Sequence, residues 1–277
     1  MRLPQELVDY IVSMLREDLR ALKTCSLTCK AMFASTRHLI HQKLCVTARN
    51  NNSVLTPAEK FRYQRWGLPD LELRFISYMG ERGLLRYTRQ VHICMPCYFT
   101  PETLQPHLHH FQSLNRVHTL VIESYPATKF ANIHRTCFAH FYGTLTSLVI
   151  RRAFGHYRHL LHFALQFPNL DNLCLERLVC ADWNPPELTP FPNVDQPPPL
   201  RGHLRLADYS PVAHWPVSFF HEPPKWINFQ SVELEDPCAA CAQHILDACA
   251  HTLQSLTIVP RGIESGERQL VPLVDDM

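Results

Sequence analysis

Residues 145–150 read LTSLVI, and the phrase returns as LDNLCL at 170–175 and LQSLTI at 253–258. Each carries leucine at its first and fourth positions and an apolar residue at its sixth, as a short strand burying one face would. Outward from these three, apolar-x-apolar steps recur at Val91-x-Ile93, Leu120-x-Ile122, Leu148-x-Ile150, Leu173-x-Leu175, Leu204-x-Leu206, Val232-x-Leu234 and Leu256-x-Ile258, spaced 24 to 31 residues apart. Three residues upstream of the steps stand Thr88, Val117, Leu145, Leu170, Arg201, Phe229 and Leu253, five of them apolar. A recurrence of this period means a stacked array in which each unit covers its neighbour's apolar edge.

Between the steps lie segments of helical spacing. Ile133 to Tyr142 puts Ile133, Cys137, Phe138 and Phe141 on one face. Tyr157 to Phe167 does so with Leu160, Leu161, Ala164 and Leu165, and Cys241 to Cys249 with Ile245, Leu246 and Cys249. Residues 74–80 are expected to form the helix of a first, incomplete unit. The pattern resembles the leucine-rich repeat, which implies parallel strands on an inner wall and helices outside. The Asn or Cys that this family carries three residues after the last apolar position is absent: those positions hold Pro96, Tyr125, Ala153, Leu178, Tyr209, Pro237 and Arg261. The hydrogen-bond ladder that residue supports must be missing here or made otherwise.

The N-terminus follows another pattern. Residues 3–33 read LPQELVDYIVSMLREDLRALKTCSLTCKAMF. Pro4 suits the first position of a helix, and Glu6 sits in its electropositive first turn. Leu3, Leu7, Ile11 and Leu15 recur every fourth residue with Val8 and Val12 beside them, and Leu19, Leu22, Cys25, Cys29 and Met32 or Phe33 continue the apolar spacing. Some forty residues cannot bury that much apolar surface alone, so the segment needs a partner. These residues resemble the F-box, most closely as found in mushroom-forming fungi. The resemblance implies docking on a Skp-type adaptor, and through it on a cullin ubiquitin-ligase scaffold, by Leu3, Pro4, Leu7, Ile11, Leu15, Leu19, Leu22 and Met32. Met32 stands where that family usually carries Trp.

The expected fold is α/β: a helical F-box-like module at 1–45, a connector and incomplete repeat at 46–87, an irregular leucine-rich-repeat-like solenoid at 88–262 and a tail at 263–277. Polar and breaker residues, from Arg49 to Ser53 and at Gly67-Leu68-Pro69, mark the connector. The seven prolines between Pro185 and Pro199 exclude helix or central strand there. The loop at 211–224 adds Trp215 and Phe219 to its prolines.

The 277 residues carry a net charge of +2, with no long basic stripe to attract nucleic acid or a membrane. No apolar run reaches transmembrane length, and no signal-peptide h-region appears. Eleven cysteines, an odd number scattered through helix and strand patterns, suit buried thiols in a reducing compartment, hence cytoplasm or nucleus. The pairs Cys94/Cys97 and Cys238/Cys241 lie too many units apart to share a zinc ion. His159 and His162 could share a helix face, but no nearby carboxylate completes a metal site. With 8 glycines and no nucleophile elbow or phosphate loop, neither catalysis nor a cofactor is expected. The expected role is a substrate-recognition adaptor whose array binds a client protein, with Arg205, Glu233, Trp215 and Phe219 as candidate client contacts. Beside Arg205 and Glu233, residues Thr119, Val121, Ser147, Val149, Asn172 and Cys174 alternate with core positions and should line the same face. The alternatives are a non-degradative scaffold or a thiol- or metal-dependent enzyme.

Overall fold

The computed structural model describes residues 3–47, 76–94, 112–123, 138–153, 160, 163–178, 199–207, 227–235, 237, 239–260 and 270–271. Three helices open the chain: α1 (Gln5–Met14), α2 (Leu19–Ser26) and α3 (Lys30–Ile40). A single sheet follows in strict chain order: β1 (Lys43–Thr47), β2 (Gln90–Cys94), β3 (Thr119–Glu123), β4 (Ser147–Arg151), β5 (Asn172–Glu176), β6 (Leu200–Ala207), β7 (Ile227–Glu235), β8 (Ser255–Val259) and β9 (Leu270–Val271). The first eight strands are all parallel, and β9 closes the far edge antiparallel to β8. The architecture is thus α/β, with N-terminal helices and a solenoid-like parallel sheet.

Every one of the seven apolar steps is a strand, and the register aligns them: Val91, Leu120, Leu148, Leu173, Leu204, Val232 and Leu256 stand side by side. Their side chains, with Ile93, Ile122, Ile150, Leu175, Leu206 and Leu234, line one continuous core, Leu256 packing at its margin. Leu44 pairs with Val91, so the sheet begins at Lys43, ahead of the expected start of the array at 88. At its other end β9 falls within the expected tail.

The stacking is written into the backbone. The Gln42 carbonyl accepts the N–H groups of Arg89 and Gln90, that of Arg89 accepts His118 and Thr119, that of His118 accepts Thr146 and Ser147, and that of Thr146 accepts Asp171 and Asn172, all at 2.8–3.1 Å. Each unit therefore begins on the carbonyl of the one before, which satisfies groups that a loop would otherwise leave orphaned. Side chains reinforce the contact between units. Thr144 Oγ1 donates to the Val117 carbonyl at 2.8 Å, Thr252 Oγ1 to Phe229 at 3.0 Å and Asn169 Nδ2 to Gly143 at 3.0 Å. Three residues at one place in their units thus bond back to the preceding unit.

Of the upstream positions, Val117, Leu145, Leu170 and Phe229 are buried as expected. Thr88 is buried too, its hydroxyl donating to the His41 carbonyl at 3.2 Å. Arg201 is exposed, and Leu200 fills the core place instead. Gly202, at φ 80°, marks the shift: the register jumps between Gly202 and His203, leaving Gln230 of β7 unpaired opposite.

Helices between strands are short in the described residues. The helical turn at 76–81 places Ile76 and Met79 in the core, and α4 (Ala239–Cys249) adds Ile245, Ala248 and Cys249. The expected helix Ile133–Tyr142 shows a single 3-10 turn, Ala139–Phe141, its earlier part lying outside the described residues. In the segment Tyr157–Phe167, residues 160, 163 and 164 are helical. Here Phe138, Phe141, Phe163 and Phe167 meet ring to ring at 5.2–5.9 Å, edge-on or tilted as aromatic quadrupoles prefer.

Candidate functional site

Two surfaces stand out. The first is the helical module. Asp18 caps α2, its carboxylate accepting the N–H groups of Arg20 at 3.0 Å and Ala21 at 2.9 Å, and Cys29 Sγ caps α3 by accepting Met32 N–H at 3.5 Å. Helix α1 starts at Gln5, one residue later than the sequence suggests, with the Pro4 carbonyl accepting Leu7 and Val8 N–H. Gln5 Nε2 and Ser35 Oγ both donate to Asp9 Oδ1, at 2.9 and 2.6 Å, tying α1 to α3. The hydroxyl of Ser35 thereby holds the Asp9 carboxyl below its ordinary value, with Gln5 adding to the effect.

The core of this module is small. Val8, Val12 and Leu22 are buried, with Leu15, Met32, Leu39 and Ile40 packed partly against them. The stripe at Leu3, Leu7 and Ile11 turns away from that core: these residues are 61, 48 and 41% exposed. Tyr10, Met14, Leu19, Leu27 and Phe33 are exposed as well. Pro4 also faces solvent. Among the residues assigned to partner contact, Leu22 lies inside the module, while Leu15 and Met32 are half-covered.

Helix α3 runs into β1 through only His41 and Gln42, and a clamp fixes the junction. Arg37 Nη2 donates to Tyr87 Oη at 2.7 Å and Arg86 Nη2 to the same oxygen at 2.8 Å. Both guanidiniums also lie over the Tyr87 ring, 5.3 and 4.9 Å from its centre.

The second surface is the sheet face opposite the core. It carries a polar row, Gln90, Thr119, Ser147, Asn172, His203, Ser231 and Ser255, and beside it His92, Val121, Val149, Cys174, Arg205, Glu233 and Thr257. Val121 and Cys174 lie on this face as the alternation predicts, and both are buried there; the Cys174 thiol donates to Glu176 at 3.3 Å. The remaining expected residues are half-buried, or exposed in the case of Asn172.

Charges cross this face in pairs. Glu123 lies between His92 Nε2 at 3.1 Å and Arg152 Nη1 at 3.3 Å. Arg151 Nε approaches Glu176 Oε2 at 2.6 Å, and Arg205 meets Glu233 at 3.3 Å and Glu235 at 3.7 Å. The Nε atoms of Arg151 and Arg205 are enclosed without a well-aligned hydrogen bond, although Arg151 Nη2 donates to Glu176 Oε1 at 3.4 Å. Burial alone would push His92 down, but the Cys45 thiol and Glu123 outweigh it and hold the imidazole above 6.5. The hydrogen bond from His92 holds Glu123 below 4.5 against the opposing effect of its own burial, and the charges of His92 and Arg152 add to the lowering.

Arg152 and Arg177 follow β4 and β5 at equivalent places, both left-handed at φ 52°. The conformation lets Arg152 N–H reach the Glu176 carbonyl at 2.9 Å and Arg177 N–H that of Ala207 at 3.1 Å. No sequence signal marks these positions, because arginine is not a residue that favours positive φ.

Trp215, Phe219, Cys97, His159 and His162 lie outside the described residues, as do the side chains of Cys94, Cys238 and Cys241. Among the described residues no group of three or more His, Cys, Asp or Glu could hold a metal ion, and no helix is long and apolar enough to cross a membrane. Comparison with protein-family models and with curated proteins gave no match, so the functional reading rests on these two surfaces.

Proposed function

We propose that the chain is a substrate-recognition adaptor of a Skp–cullin–F-box ubiquitin ligase, its helical module docking the Skp-type adaptor and its sheet face holding a client. The observation that carries this reading is the exposed apolar row Leu3, Leu7, Ile11 and Leu19 on a module with a three-residue buried core. Large apolar side chains gathered on one small module favour a protein partner, since covering the half of each that is exposed gains on the order of 1 kcal/mol. Leu22, Leu15 and Met32 support that surface from beneath. No step of chemistry is asked of this chain: holding a client beside the transferase raises local concentration, and proximity alone accelerates transfer. On the array, Arg205 and Glu233 offer a charged contact.

The test is a pull-down of the full chain with a recombinant Skp-type adaptor. Leu7→Asp and Ile11→Asp each place an unpaired charge in the contact and should abolish binding, with thermal stability unchanged because both side chains are exposed. Wild-type chain that fails to bind, or undiminished binding by both variants, rejects the reading.

A further inference from the structure

The first strand of the sheet carries Cys45, whose register partner on β2 is His92, and His92 Nε2 in turn meets Glu123 Oε2 on β3 at 3.1 Å. Thiol and imidazole therefore stand side by side, and the carboxylate reaches the imidazole from two residues further along β3, all three on the face opposite the core. We propose that Cys45 is the nucleophilic thiol of this protein, a site of exchange with low-molecular-weight disulfides in which His92 takes the thiol proton and Glu123 holds the imidazole in place.

The order of the three groups suits that division of labour. Cys45 is exposed, on a strand at the edge of the sheet, so a small disulfide can reach its sulfur. His92 is only 8% exposed, stands beside Cys45 in register on the same sheet face and is hydrogen-bonded through Nε2 to the carboxylate, which fixes the ring next to the thiol. Glu123 is itself held by Arg152 Nη1 at 3.3 Å, and Arg151 adds positive potential nearby. Among the described residues, Glu123 is the charged group in contact with the imidazole, and the two arginines act on Glu123.

Three other described cysteines, Cys174, Cys249 and Cys29, are built differently. Burial pushes the Cys174 thiol up to about 12 and the Cys249 thiol up to about 11, so both stay protonated and inert. Cys29 is exposed like Cys45, but its sulfur is engaged in capping α3 and no imidazole is seen to contact it. It serves as an internal comparator.

In the reaction the Cys45 S–H proton passes to the imidazole and the sulfur attacks one sulfur of the disulfide. A Cys45–S–S–R bond forms, the original S–S bond breaks, and the departing thiolate takes the proton to leave as RSH. Cys45 is oxidised to the mixed disulfide while half of the small disulfide is reduced to a thiol, so atoms and electrons balance.

The experiment exposes the full-length native protein at pH 7 to glutathione disulfide and follows adducts at each cysteine by mass spectrometry. Cys45 should react about tenfold faster than Cys29, with Cys174 and Cys249 unmodified. In His92→Gln the Cys45 rate should fall to that of Cys29, whose own rate stays the same; in Glu123→Gln it should fall part of the way. Equal rates at Cys45 and Cys29 in the wild type, or a Cys45 rate untouched by His92→Gln, overturn the proposal. Should His92→Gln loosen the fold, seen as reaction at Cys174 and Cys249, the Glu123→Gln variant decides, and an unchanged Cys45 rate there overturns it.

Discussion

The main-chain carbonyl of Asp171 occupies the space that a Cβ on Gly202 would need. That approach, at φ 80°, lets His203 N–H bond to the same carbonyl at 2.8 Å while β6 slips one residue against β7. Gly202→Ala should therefore combine strain with a clash against backbone, which cannot yield as a side-chain tip can, and cost about 2–4 kcal/mol. Gly83→Ala, at φ 64° but in open space, should cost only about 1 kcal/mol, and Gly143→Ala, with open space and no positive φ, close to none. Urea denaturation of the three variants checks the ranking.

The helical module separates a supporting set from an exposed set. Leu22→Ala empties a fully buried site and should destabilise by about 2–4 kcal/mol, whereas Leu7→Ala should stay within about 0.5 kcal/mol. Hydrogen exchange in α1–α3 would report the difference even if the array unfolds separately.

His92 and Glu123 bring opposite pH dependences. His92, raised in the folded state, contributes stability that is complete below its unfolded value of 6.5 and lost as pH rises through its folded value. Glu123, lowered in the folded state, contributes stability that is complete above 4.5 and lost as pH falls through its folded value. Glu123→Gln should therefore be most damaging between about pH 4.5 and 6.5, with the loss shrinking toward both sides. A difference that instead grew steadily above pH 7.5 would contradict the pairing.

The side-chain bonds between successive units can be weighed singly. Thr144→Val removes the donor to the buried Val117 carbonyl and should cost about 1 kcal/mol. Thr146→Val should cost little, because its longer 3.3 Å bond goes to the His118 carbonyl, which already accepts two backbone N–H groups. Thermal denaturation of both variants makes the comparison.

How far the fold could be read depended on phase. The seven steps were legible because both their spacing and their alternation were regular, and that periodicity also assigned Leu148 and Ile150 to the core and Val149 to the other face. Leu44-x-Val46 escaped because it stands 47 residues before the next step, outside the period. Arg201 looked like a polar exception because the Gly202 irregularity moves the buried position back to Leu200. In the helical module an every-fourth-residue pattern cannot say which side of α1 packs inward; contacts from α2 and α3 chose Val8 and Val12 over Leu7 and Ile11. On the sheet face, alternation located Arg205 and Glu233, but their pairing, and the grouping of Cys45, His92 and Glu123, needed the register between strands far apart in sequence. Val121 and Cys174 lie on the face that alternation gave them, but their burial could not be read there, because facing away from the core is not the same as facing water.

The relay of carbonyls from Gln42 to Thr146 separates two things that most folds bind together. Where one strand begins is dictated by the last, while the chain between the steps takes 25, 28 or 29 residues without disturbing the start of the next. Over evolutionary time, insertions and deletions can therefore accumulate between strands as on a ruled page, where the margin is printed and the length of each line is not. What such a protein touches can then vary, because its grammar is kept in main-chain atoms that every substitution except proline leaves in place.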